Sequence, residues 1–213
     1  MTLRKLHKST AVLLVVFIIL HFATHLAGLF GIAAYDRVQA AFRLLYRNPI
    51  VEPILLVAFI TQIIGGAVLL LGQYRRGLRG RWAKLQAASG AAFLFFIIQH
   101  ISAMALARWG DGLNTTFYWP AAGMNGAPFV WYFFPYYFLG VTALFLHIAC
   151  ALRLVLMRSQ RHHLALPALW GLTALGLALA ITINLMLIGT FYPIVLPEIW
   201  VDYLRGFLPF YGR

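Results

Sequence analysis

Residues 6–30 read LHKSTAVLLVVFIILHFATHLAGLF, and residues 85–107 read LQAASGAAFLFFIIQHISAMALA. Each stretch exceeds the roughly 20 apolar residues that a helix needs to cross a bilayer. Each carries a histidine fifteen positions after its leading leucine, His21 after Leu6 and His100 after Leu85. Three further apolar runs, 50–72, 131–157 and 166–191, have the same character. In lipid a backbone must satisfy its own hydrogen bonds, so each run is expected to be a helix. The expected fold class is all-α, a polytopic membrane bundle of five transmembrane helices forming a single domain over 1–213.

Composition agrees. Hydrophobic residues make up 62% of the 213 and charged residues 10%, with a mean hydropathy of +0.83. A soluble domain carries about 25% charged residues, so a water-soluble fold, a disordered chain and a collagen-like repeat are all excluded. Five spans leave no room for a separate soluble catalytic domain. The single cysteine, Cys150, allows neither an internal disulfide nor a cysteine metal site. Arg4, Lys5 and Lys8 precede the first run as in a signal peptide. That run is too long for one, and no A-x-A-like site follows, so a retained span is expected.

The charges predict an orientation. With the N-terminus inside, the inner segments hold Arg4, Lys5, Lys8, Arg75, Arg76, Arg79, Arg81, Lys84, Arg153, Arg158 and Arg161, eleven of seventeen basic residues. The outer segments hold Arg37, Arg43, Arg47, Arg108, Arg205 and Arg213 together with all five acidic residues, Asp36, Glu52, Asp111, Glu198 and Asp202. This is a positive-inside pattern with the C-terminus outside. The net charge of +12 is then a topology signal, and no nucleic-acid partner is expected. Tyr118, Trp119, Trp131, Tyr132, Tyr136, Tyr137, Tyr192 and Trp200 would form the outer aromatic belt. The outer connections, 31–49 and 109–128, are long. The inner ones, 73–84 and 158–167, are short and basic.

Because the first and third spans run the same way, His21 and His100 are expected at one depth, about 10–12 Å in from the outer boundary at about 1.5 Å per residue. Two imidazoles on parallel helices at one depth have the geometry of a bis-histidine b-type haem site. Phe17, Phe93, Phe96 and Met104 on adjoining turns suit a porphyrin edge. Ionisable groups at membrane depth are rare and usually functional, although any one histidine can instead hydrogen-bond a neighbouring helix. The fourth span adds His147, with Gly140, Ala143, Cys150 and Ala151 nearby, and the matching place in the second span is Gln62, followed by Gly65 and Gly66. His25, one turn outward from His21, would replace it as ligand, hydrogen-bond a propionate or line a quinone pocket. Arg43 and Arg47, one turn apart, would either neutralise haem propionates or snorkel from an interfacial helix. His7 is expected at the inner interface, and His162 and His163 in a basic loop. Thr182 and Asn184 in the fifth span read as packing residues.

These features resemble the membrane-anchor cytochrome b subunit of succinate dehydrogenases and fumarate reductases, in its single-chain, five-helix form. The matching residues are Leu6-His7-Lys8-Ser9 with His21, Leu85-Gln86-x-x-Ser89-Gly90 with Gln99-His100, and Tyr137-x-Leu139-Gly140 with His147. The similarity covers most of the first four helices at superfamily level. It implies an outer haem b on His21 and His100, and an inner haem b on histidines of the second and fourth helices. His147 matches the fourth-helix ligand, but Gln62 stands where the second-helix histidine belongs, so one haem is the count implied. The resemblance also implies a quinone beside the haem, with Glu52 the only carboxylate placed to take up quinol protons, unless it serves only helix-boundary solvation. It implies a bacterial cytoplasmic membrane, and flavoprotein and iron–sulfur partner subunits on the basic inner face.

The chain is therefore expected to be a non-catalytic electron-transfer subunit working between quinone and a partner. The alternative is a stand-alone member of the same superfamily, a scaffold or a lipid- or haem-handling factor without redox turnover. No carboxylate lies within a span core, which disfavours a carboxylate proton relay. No hydrolase triad, phosphate loop or nucleotide fingerprint occurs.

Overall fold

The computed structural model describes residues 2–211; Arg213, counted above among the outer cations, lies outside them. A 25-residue helix rises about 37 Å, more than a hydrocarbon core is thick, and the chain builds five elements on this scale. They are α1 (Leu3–Ala27), α3 (Val51–Arg75), α4 (Arg81–Ala105), α6 (Phe129–Arg158) and α7 (His162–Leu187). All five are long and apolar enough to cross a membrane. Three shorter helices join them: α2 (Ile32–Tyr46), α5 (Tyr118–Ala122) and α8 (Glu198–Phe207). No strand occurs among the described residues.

The long helices are apolar on their outward faces too. Along α3 the side chains of Val57, Ile60, Ile64, Val68 and Leu71 recur every three or four residues and all are exposed. Water would oppose such a stripe, and lipid would accept it. What faces inward mixes small and aromatic residues with Leu, Ile and Met. α6 and α7 form the most extensive pair, α4 packs on α6, and α1 packs on α3. α1 and α4 share few backbone contacts and face one another across open space.

The two ends of the bundle differ. One, the basic end, gathers Arg4, Lys5, Lys8, Arg76, Arg79 and Arg158. The other, the loop-rich end, is closed by α2, α5 and α8. α1 runs into a 3-10 turn (Gly28–Phe30) and then reverses at Gly31, whose φ of 106° a side chain would strain. α2 follows. Tyr35, Gln39, Arg43 and Arg47 lie four residues apart and so form one stripe along it.

That stripe clamps the connection after α4. The Thr115 carbonyl accepts from Gln39 Nε2 at 3.3 Å and Arg43 Nη2 at 2.6 Å. Asn114 Oδ1 accepts from Arg43 Nη1 at 2.8 Å, Thr115 Oγ1 accepts from Arg47 Nη2 at 3.0 Å, and Phe117 N donates to Asp36 Oδ1 at 3.0 Å. The segment rich in Gly, Asn and Pro is thus a packed cap. Phe117, Ala121 and Met124 are fully buried against Tyr35, Ile183, Met186 and Leu187. The fifth long helix begins and ends about four residues earlier than its apolar run, so His162 and His163 open α7. It stops at Leu187 because Gly189 turns the chain with a positive φ and Pro193 follows.

Candidate functional site

Helical periodicity brings Phe17, His21 and His25 onto one face of α1, each a turn from the next. The His21 ring stacks on Phe17 (centroids 5.7 Å, 16°) and meets His25 edge-on at 4.7 Å. From α4, His100 stacks on Phe96 at 5.2 Å and 19°, with Trp119 against its edge at 5.4 Å. The His21 and His100 rings meet edge to face, with centroids 6.0 Å apart and planes at 75°. The structure therefore brings together the two imidazoles that the matched spacing singled out.

The rings sit in a cavity at the loop-rich end. Phe59, Phe93 and Leu144 line its depth, and Arg43, Arg47, Arg108 and Glu52 line its mouth. Gly140 of α6 gives Phe96 room, because any Cβ at that position would land on the Phe96 ring. Neither His21 nor His100 makes a side-chain hydrogen bond within the described residues. His25 is buried, and its Nδ1 has no partner.

A haem fits these observations. The 6.0 Å between ring centres is on the scale that two imidazoles holding one iron would have, because metal–imidazole bonds are about 2 Å long. The spacing, the unpartnered rings, the aromatic walls and the cationic mouth all suit an amphiphilic macrocycle with acidic side chains. Among the described residues no group of three or more His, Cys, Asp or Glu is arranged for a bare metal ion.

Arg43 and Arg47 line the mouth while also holding Asn114 and Thr115. Burial lowers the Arg43 guanidinium from its usual range. Burial, with Arg43 and Arg108 close by, brings that of Arg47 down to about 10. Glu52 forms a two-pronged ion pair with Arg108 through both terminal nitrogens.

His147 is not part of this site. It lies in a second, larger cavity toward the basic end. Its Nδ1 lies 3.2 Å from the Gln86 carbonyl, an acceptor, so Nδ1–H donates there. Gln62 does not face it as a ligand substitute. Its amide donates to the His7 carbonyl at 2.6 Å and to Thr10 Oγ1 at 2.8 Å. His7, expected at the interface, is half-buried on the wall of this cavity, with Nδ1 unpartnered. His162 and His163 are exposed. Ile18, Phe59, Phe93, Ile97 and Leu144 line both cavities and so form the partition between them.

Sequence reasoning missed Arg108 as the partner of Glu52, Thr115 as the anchor of the α2 arginines, and Trp119 beside His100. The four-residue spacing of Tyr35, Gln39, Arg43 and Arg47 was the available signal for the α2 clamp. Comparison of the chain with family models, curated proteins and solved structures finds no match.

Proposed function

We propose that this chain is a membrane-embedded b-type cytochrome that carries electrons between a quinone and a partner, with haem b held between His21 and His100. The observation that supports the reading most is the close pair of imidazoles, centroids 6.0 Å apart in an apolar cavity and free of hydrogen bonds to the described residues. When bound, haem b supplies one-electron exchange at its iron. The chain's own residues do the rest. Phe17 and Phe96 fix the two ring planes by stacking. Phe59, Phe93 and Leu144 exclude water, which keeps the local dielectric low and tunes the potential. Arg43 and Arg47 place positive charge where the haem's carboxylates would emerge, and Thr115 holds both guanidiniums in position.

The charge distribution supports an N-inside, C-outside placement, which sets this site toward the outer face. A bacterial cytoplasmic membrane fits that topology. Flavoprotein and iron–sulfur partners would then dock on the basic face. The resemblance to succinate dehydrogenase and fumarate reductase anchors points to that assembly. A quinone would reach the same cavity from its mouth, where His25 and Glu52 are the titratable groups closest to it.

The test is spectroscopic. Purified chain, expressed with ample haem precursor, is expected to give a reduced-minus-oxidised b-type spectrum at one haem per chain. His21→Ala and His100→Ala should each abolish it while the folded protein persists, and His147→Ala should leave it. A colourless wild-type protein, or an unchanged spectrum in both variants, would sink the reading.

A further inference from the structure

The cavity at the basic end is the larger of the two and lies among α1, α3, α4 and α6. Six cations line it: Arg4, Lys5, Lys8, Arg76, Arg79 and Arg158. No carboxylate lines it, and none of the six forms an ion pair among the described residues. The acids that do pair, Glu52, Glu198 and Asp202, are held by Arg108 and Arg205. Six like charges around one opening repel one another, and an anion there would relieve that repulsion. Farther in, the walls are largely apolar, with Leu14, Ile18, Leu94 and Leu144 beside the polar groups of Gln62 and His147, and Gly66 and Gly90 seat the His7 and His147 rings. A cationic mouth above an apolar shaft matches a molecule with an anionic head and a hydrocarbon tail.

We infer that this second cavity binds one anionic glycerophospholipid, its phosphate among Arg76, Arg79 and Arg158 and an acyl chain in the shaft toward Leu144. The inference does not depend on the haem reading, because the two cavities are separate apart from their shared partition. Basic pockets between membrane helices hold anionic headgroups by the same electrostatics. The apolar shaft adds selectivity for a lipid over a bare anion, because buried methylenes contribute roughly in proportion to their area.

The test uses the full chain in a neutral detergent, read by native mass spectrometry and thermal unfolding. The probes are dioleoyl phosphatidylglycerol, dioleoyl phosphatidylcholine and inorganic phosphate. Phosphatidylglycerol should bind at one per chain and raise the melting temperature. Phosphatidylcholine should bind at least about tenfold more weakly, and phosphate at the same concentration should do neither. Arg76→Gln combined with Arg158→Gln should reduce phosphatidylglycerol binding to the phosphatidylcholine level. Arg81→Gln combined with Arg161→Gln, which removes cations that do not line the cavity, should keep it. The haem spectrum of each variant reports on the other site separately. Equal binding of the two lipids, full competition by phosphate, or equal loss in the control variant would overturn the inference. So would a second haem per chain that displaces phosphatidylglycerol.

Discussion

Arg108, at the end of α4, grips both carboxylate oxygens of Glu52, at the start of α3, and the pair closes one side of the first cavity's mouth. Both side chains are under a quarter exposed. Arg43 and Arg47 line the same mouth, so Glu52 is the one negative charge among three guanidiniums. Removing the acid should therefore cost more than removing its partner. Glu52→Gln is expected to destabilise the chain by about 1–3 kcal/mol, and Arg108→Gln by less. Thermal unfolding of both variants in one detergent checks the order. A larger loss in Arg108→Gln would mean that the mouth tolerates three unpaired cations.

Tyr35 predicts an alkaline limit to stability. Its side chain is 2% exposed, and burial pushes its hydroxyl above the ordinary tyrosine range. An unfolded tyrosine ionises near about pH 10. Above that pH the unfolded chain gives up a proton that the fold retains, so stability falls as pH rises, by at most about 1.4 kcal/mol per unit. Below it the group contributes no slope. Arg47 acts with the opposite sign over the same range, because burial has lowered its pKa to about 10. Unfolding titrations of wild type and Tyr35→Phe between neutral and strongly alkaline pH separate the two. The variant should show a shallower downward slope, because burial also raises Tyr192, Tyr203 and Tyr211 and these keep their share, and parallel curves would refute the assignment.

The five long helices were legible because apolarity repeated over twenty or more residues leaves lipid-spanning helices as the only physical solution. The pairing of His21 with His100 was legible from equal spacing within two similar runs. The loop-rich end was not. α2 is amphipathic and short, and its role depends on meeting Thr115, nearly seventy residues later in the chain. The cap around Phe117 read only as a long connection because Gly, Asn and Pro carry no periodic signal, yet its backbone groups find side-chain partners on α2. His7 was legible in depth but not in direction. Position along a span gives depth but not the direction a side chain takes, and here α3 offers Gly65 and Gly66 as the surface on which the ring rests.

Asn184, read from sequence as a packing residue, ties the two most extensively packed helices together. It is 1% exposed, and its Nδ2 donates to the Phe134 carbonyl of α6 at 2.8 Å, beside Pro135. Interhelical hydrogen bonds in lipid contribute modestly, so Asn184→Ala should cost about 0.5–1.5 kcal/mol. Asn184→Asp should cost more, because a carboxylate would meet a carbonyl oxygen with no donor between them. Denaturation in mixed micelles gives both values. An aspartate variant as stable as wild type would show that the bond carries nothing.

Gly140→Ala tests whether the α6 surface sets the orientation of His100. A Cβ at Gly140 would land on the Phe96 ring, and that ring lies stacked on His100 at 5.2 Å and 19°. The added methyl must displace Phe96, and Phe96 cannot move without changing the support under the imidazole. A loss of about 1–3 kcal/mol is expected from overpacking; on the proposed haem assignment, the haem resonance shifts while the amount of bound haem is unchanged. Gly171→Ala is the control, since no atom lies within 4 Å of its added Cβ. There the substitution should leave the resonance alone and raise stability slightly through helix propensity. Combining Gly140→Ala with Phe96→Leu removes the ring that clashes. That double variant should recover much of the lost stability while the resonance stays displaced, because the stacking partner of His100 is gone. If Gly140→Ala alone leaves both stability and resonance unchanged, Phe96 does not transmit the shape of α6 to His100.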